Sequence, residues 1–230
     1  MIFIQKKSEP DLLLKYRYQM NARFDDMDSD VKKQLRDSLL KEQGHLCAYC
    51  MKRINDTKDI KIEHLEARTP ENELQYHNLL AVCRGGDGGP VRARSCDTKK
   101  GNRPIFISPL NKSDMDRIYY NNSGEIHSSD TTKYNFEYQD SIGRHYTGIT
   151  SPDQDICECL NLNYENGAPM IGRKNALRKF QKLLHPYKDK KSKRVFLEKM
   201  QKTYSENSEY LEPYVGILRW YVEKKLKQLS

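Results

Sequence analysis

Four cysteines in the first half of the chain have the type and spacing of a metal site, and four polar residues interleave with them as candidates for reaction chemistry. Cys47-Ala-Tyr-Cys50 is a C-x2-C knuckle, the spacing at which two thiolates grip one tetrahedral zinc through a tight turn. Cys83 and Cys96 lie downstream and complete a four-thiolate set, with twelve residues between them where a zinc ribbon usually leaves two. The segment between them contains RGGDGGPVRAR, residues 84–94, which can close the gap at modest cost because closure entropy grows only logarithmically with loop length. Four thiolates leave zinc no open position for water or substrate, so this metal would be structural and the chemistry must come from elsewhere.

The interleaved residues are Glu63-His64, Asn78 and Asp97. An imidazole is the usual general base near neutral pH, and carboxylates are hard oxygen donors for a cation such as Mg²⁺. A Glu-His pair alone would carry little weight. Its position inside the cysteine framework, with an Asn-Leu before the third cysteine and an acid directly after the fourth, gives it some. Cys157 and Cys159 form a C-x-C pair for which no further thiol remains, and they read as structural residues.

These side chains need elements to position them. Residues 29–43 place Val31, Leu35 and Leu39 at helical spacing, with Ser29 as N-cap and Gly44 as the stop. Two short strands are expected around 51–54 and 59–66, joined into a hairpin by turn chemistry at Asn55-Asp56. The glycine-rich loop lacks the Gly-Lys-Ser/Thr ending of a nucleotide cradle and reads as a flexible insertion, followed by a short helix from about Ser95 that Gly101 and Pro104 end. The segment 119–127 (YYNNSGEIH) predicts a hairpin closed at Ser123-Gly124. Helices are expected at 170–184, at 190–204 with Phe196, Met200 and Tyr204 in register, and from Pro213 with Val215, Leu218, Val222 and Leu226 as one apolar stripe.

Length and composition bound the answer. At 230 residues, 37% hydrophobic and 31% charged, the chain is long enough for one or two domains with a sizeable core. No apolar run approaches the ~18–20 residues needed to span a bilayer. The opening MIFIQKKSEPDLLL puts its apolar patch ahead of its lysines, the reverse of a secretory signal, so a cytoplasmic address is expected. Six cysteines in that setting read first as metal ligands rather than disulfides. The net charge of +8 is uneven: residues 173–230 carry 16 Lys and Arg against 6 Asp and Glu, a balance of +10, which leaves −2 for residues 1–172. A basic C-terminal region suits a polyanionic partner.

The order Cys47-x2-Cys50, Glu63-His64, Asn78-Leu79, Cys83, Cys96-Asp97-x2-Lys100-Gly101 resembles the HNH, or ββα-metal, nucleases over about residues 43–104. Glu63 stands where Asp is commoner in that family, and Asp97 where Asn or His is; both keep an oxygen ligand. The resemblance implies an α+β fold, with a zinc-supported nuclease core at 29–110 between an N-terminal arm at 1–28 and a mainly helical basic region at 111–230. It further implies that His64 takes a proton from the water that attacks a phosphodiester in line, and that Glu63 and Asp97 hold a catalytic Mg²⁺ or Mn²⁺. Asn78 would brace the loop that carries His64, and Lys99, Lys100 and Arg103 could hold neighbouring phosphates. DNA is the first expected substrate and RNA the second.

Flanking phrases narrow the likeness. Glu9-Pro10-x2-Leu13 with Tyr16-Arg17, GHLCAYC, the long Cys83–Cys96 insertion, CDTKKGN from Cys96 and LNLN at 160–163 are similar to the HNH subunit of Septu-type antiphage systems, the PtuB type, also found with some retrons. That likeness implies an ABC/SMC-type ATPase partner of the PtuA type and a role in defence against phage. The competing expectation is a noncatalytic zinc module that binds nucleic acid or a partner protein through the same knuckle, a module with no need of His64 and Asp97 in register with the cysteines.

Overall fold

The computed structural model describes residues 1–55, 59–205 and 209–229. It is a mixed α+β chain with three two-stranded antiparallel sheets among helices. Two helices lead in, α1 (Asp11–Arg17) and α2 (Ser29–Glu42). The cap of α2 is Asp28 rather than Ser29: Asp28 Oδ1 accepts from the N–H groups of Asp30 and Val31, at 3.0 and 2.9 Å. Val31, Leu35 and Leu39 bury the expected face, and Gly44 takes φ +61° just beyond the helix.

The first sheet departs from expectation. Strand β1 (Ile60–His64) pairs with β2 (Leu79–Cys83), not with the segment around Met51–Ile54, whose ladder is a single bridge between Leu46 and Arg53. Asp56 of the expected turn lies outside the described residues. The apolar run LLAVC is buried along its whole length, which makes it the better partner in the core. Its second edge is also occupied. The side-chain amide of Gln43 donates to Ala81 O at 2.8 Å and accepts from Ala81 N at 2.8 Å, while Ala48 N donates to Ala81 O at 3.0 Å. The cysteine knuckle is thereby seated against β2.

The insertion between Cys83 and Cys96 closes on itself through Ser95 N to Gly85 O at 2.8 Å. Gly85 has φ +56°, and a Cβ there would lie 2.1 Å from the Ser95 carbonyl oxygen, so only glycine permits this closure. Helix α3 (Asp97–Lys100) follows and ends at Gly101, with φ +54°.

Beyond α4 (Lys112–Asp116) come two hairpins: β3 (Ile118–Tyr120) with β4 (Ile126–Ser128), as expected, and β5 (Tyr134–Gln139) with β6 (His145–Thr150), which the sequence reading did not anticipate. A short helix, α5 (Pro152–Gln154), runs into a wider turn at Asp155–Cys159. Helices α6 (Ala168–Leu184), α7 (Lys190–Ser205) and α8 (Val215–Leu229) complete the chain. Val215, Leu218 and Val222 are buried on α8, and Phe196, Met200 and Tyr204 pack partly against the core. Arg173 is fully buried, donating to Gly124 O, Leu162 O and Asn163 Oδ1, so it does not belong to the exposed basic surface. Among the described residues no helix is long and apolar enough to cross a membrane.

Candidate active site

Cys47, Cys50, Cys83 and Cys96 are all buried and converge on one point. Their sulfurs stand 3.8 Å apart for Cys47–Cys96, 3.7 Å for Cys50–Cys83 and 3.9 Å for Cys83–Cys96. Four sulfurs placed ~2.3 Å from a tetrahedral centre lie about 3.8 Å from one another, so the cluster has the dimensions of a zinc tetrathiolate. Cys96 sits at φ +55°, a conformation that costs a non-glycine residue about 1–3 kcal/mol and persists only where its surroundings impose it. Its N–H is held by Leu160 O at 3.0 Å. Four buried cysteines in this arrangement can bind zinc.

The knuckle also reaches toward the chemistry. Tyr49, between the two knuckle cysteines and fully buried, donates its hydroxyl to Glu63 Oε1 at 3.0 Å. Lys100 on α3 places Nζ 2.8 Å from the same oxygen, and both side chains of that ion pair are almost wholly buried. Burial is the largest influence on Glu63, whose carboxyl is pushed up to about 8; the Lys100 charge opposes the rise and the neighbouring Asp97 carboxylate adds to it.

Glu63, His64, Asp97 and Lys100 line one cleft of about 500 Å³ together with Phe24 and Arg68. His64 is the last residue of β1, and its Nε2 lies 3.0 Å from the Glu73 carbonyl oxygen. A carbonyl can only accept, so in the neutral ring Nε2 carries the proton and Nδ1 keeps the lone pair. The Phe24 and His64 rings form a T-shaped pair, 4.5 Å between centroids and 73° between planes. Burial holds the His64 imidazole below its ordinary range, which favours the neutral form that can act as a base.

Asn78 is buried immediately before β2. Its Oδ1 accepts from Glu66 N at 2.8 Å and its Nδ2 donates to Glu66 O at 3.2 Å, while Leu65 N donates to Asn78 O at 2.9 Å. The amide therefore grips both sides of a residue two positions after His64. Asp97 is partly exposed, with Lys61 Nζ 3.6 Å from its Oδ2.

The expected phosphate holders separate. Lys99 is exposed, Lys100 is committed to Glu63, and Arg103 faces Thr150 and Asp155. Tyr49, Glu73 and Arg68 escaped the sequence reading, because an aromatic inside a knuckle, a backbone carbonyl and a lone arginine carry no local signal. Cys159 is a buried core residue whose thiol burial pushes up to about 12, as expected of a structural cysteine.

For a hard divalent cation, the donor set is two neighbouring carboxylates at the cleft, which suits Mg²⁺ or Mn²⁺, ions that commonly take one or two carboxylates and complete their shell with water and substrate oxygens. Asp97 is the more accessible of the pair, since Glu63 is already bonded to Tyr49 and Lys100.

Over 194 residues the chain is 25% identical to a protein of Escherichia coli described as "Retron Ec83 putative HNH endonuclease", covering 73% of this chain and 68% of the relative. Over 88 residues it is 30% identical to "Retron Vc95 putative HNH endonuclease" of Vibrio cholerae serotype O1 biovar El Tor, covering 36% of this chain and 41% of that relative. No protein-family model matches the chain, and no solved structure matches it significantly. Two relatives at low identity, both carrying this description, support an HNH endonuclease family for the chain.

Proposed function

We propose that the chain is a metal-dependent HNH endonuclease that hydrolyses phosphodiester bonds, with DNA the first substrate and RNA the second. One observation carries the reading: a buried imidazole whose Nε2 is fixed on a backbone carbonyl stands at the end of β1 in the same cleft as two carboxylates, and four cysteines converge nearby in the same chain. In this reading His64 accepts the proton of the attacking water at Nδ1 while Nε2–H stays on Glu73 O. Asn78 keeps the segment after His64 in place, so the ring meets the water in a constant orientation. Asp97, with Glu63, would hold a catalytic Mg²⁺ or Mn²⁺, which supplies charge neutralisation at the phosphate and the leaving 3′ oxygen. Arg68, in the same cleft, serves as a phosphate contact together with exposed Lys99. Zinc on the four cysteines holds Asp97 and Tyr49 in register with Glu63.

At a finer level, the chain acts as the PtuB-type nuclease of a Septu-like antiphage system, beside a PtuA-type ABC/SMC ATPase, and the two retron relatives favour a retron setting. The test is incubation of the purified protein with plasmid DNA and with total RNA, in Mg²⁺, Mn²⁺ or EDTA, with and without the ATPase. Metal-dependent cleavage of either polymer supports the nuclease; binding without cleavage under every condition would mark a noncatalytic zinc module.

A further inference from the structure

A second cluster, sharing no residue with the cleft or the four cysteines, brings three unlike metal-ligating groups together. His127 on β4, Asp153 on α5 and Cys157 on the turn that follows α5 place one donor atom each within 4.8 Å of the others. The His127 Nδ1 to Asp153 Oδ1 separation is 3.0 Å. Two such donors at ~2.1 Å from one ion stand about 3.0–3.4 Å apart, so this pair needs little movement to share a cation, and the sulfur closes a third side.

The surroundings fix all three groups. Asn163 Nδ2 donates to Cys157 Sγ at 3.3 Å, and the same side chain is clamped on β4 by Ile126 N at 3.0 Å and Ile126 O at 2.8 Å. Ser128 N donates to Asp153 Oδ1 at 3.1 Å. Tyr119, opposite His127 in the hairpin register, stacks on its ring at 5.5 Å. Behind the imidazole, Glu125 Oε2 lies 3.9 Å from Nε2, where metal-bound histidines commonly keep a carboxylate. All three candidate ligands are half-buried, hence both ordered and reachable from solvent.

One nitrogen, one sulfur and one oxygen make a borderline-soft set that suits zinc and its transition-metal neighbours and not Mg²⁺ or Ca²⁺, which take oxygen. We propose that His127, Asp153 and Cys157 bind one divalent transition metal, zinc by donor type, at a second site whose fourth position is open to water. Cys157 needs no further thiol for this, because imidazole and carboxylate complete the set.

The test is zinc stoichiometry and affinity of the full-length protein, by equilibrium dialysis against zinc alone with metal quantified by mass spectrometry. Wild-type protein should take up two equivalents, the second weaker and more readily exchanged. Cys157→Ser and His127→Gln should each weaken the second equivalent about tenfold or more while retaining the first. With Co²⁺ as probe, the second equivalent should add a near-ultraviolet thiolate charge-transfer band that Cys157→Ser removes. Wild-type protein saturating at one equivalent would overturn the proposal whatever the variants do. A second equivalent unaffected by either substitution would overturn it equally.

Discussion

Lys100 Nζ and Glu63 Oε1 form an ion pair of 2.8 Å in which the lysine side chain is 2% exposed and the glutamate 5%. Together with the Tyr49 hydroxyl on the same oxygen, it links the cysteine knuckle, strand β1 and helix α3 through one carboxylate. A buried pair contributes little net stability compared with apolar packing, and removing Lys100 takes away the charge that opposes the rise in the Glu63 pKa, so the buried carboxyl must take up a proton. Lys100→Met should therefore destabilise the protein, and more so above pH ~8 than at pH ~6, read by urea denaturation of the zinc-loaded form. Lys100→Met with Glu63→Gln should recover part of that loss, and a double variant no better than the single one would count against the coupling.

Loss of a structural zinc removes folding free energy outright. Cys50→Ser should lose the tightly held zinc and with it the cooperative thermal transition. A folded Cys50→Ser protein with unchanged thermal stability would be incompatible with a structural tetrathiolate.

The acid limb of the pH–rate profile should report His64. Burial lowers its pKa, and the neutral ring is the active form, so kcat/KM should rise with pH through a value below the ordinary imidazole pKa of ~6.5 and level off above it. Phe24→Ala admits water to the ring and should move the limb upward, toward the ordinary value. An acid limb that Phe24→Ala shifts downward would reverse the argument.

Asn78→Ala should lower kcat with little change in KM, since the amide touches the backbone at Glu66 and lies outside the cleft lining. Asn78→Asp keeps the acceptor for Glu66 N and should restore part of the rate. A change confined to KM would point to substrate contact instead.

How much of this was legible depends on whether the signal is local. The knuckle, the helix around Leu35 and Leu39, and the apolar stripe of Val215, Leu218 and Val222 are periodic or closely spaced, and the structure has them where the sequence put them. Strand β2 was missed because a wholly buried run such as LLAVC shows no alternation. The alternating aromatics Tyr134, Phe136 and Tyr138 did carry a strand signal, hidden among turn-forming neighbours. Lys100 reads as a surface cation in KKGN, and only the fold shows that it turns inward to Glu63. His127 is separated in sequence from Asp153 and Cys157 by a whole hairpin and meets them only in space.

The basic region keeps its expectation in reduced form. Arg173 is buried, but Lys190, Lys191 and Arg194 at the start of α7 are exposed and Lys193 is half-buried. Reversing these four charges should weaken nucleic-acid binding and flatten its salt dependence, because each neutralised phosphate releases about one counterion. If α7 instead docks the proposed ATPase, the same variant should lose co-purification with it and keep cleavage.

The central claim stands on His64. Cleavage of supercoiled plasmid and of total RNA should be compared for zinc-loaded wild type and His64→Ala, in Mg²⁺, Mn²⁺ and EDTA, with the proposed PtuA-type ATPase present and absent. Wild type should cleave at least one polymer in a divalent-metal-dependent manner, and His64→Ala should lower that rate by a factor of ~10²–10⁴ with zinc content and fold intact. Undiminished cleavage by a folded, zinc-loaded His64→Ala protein would contradict the account.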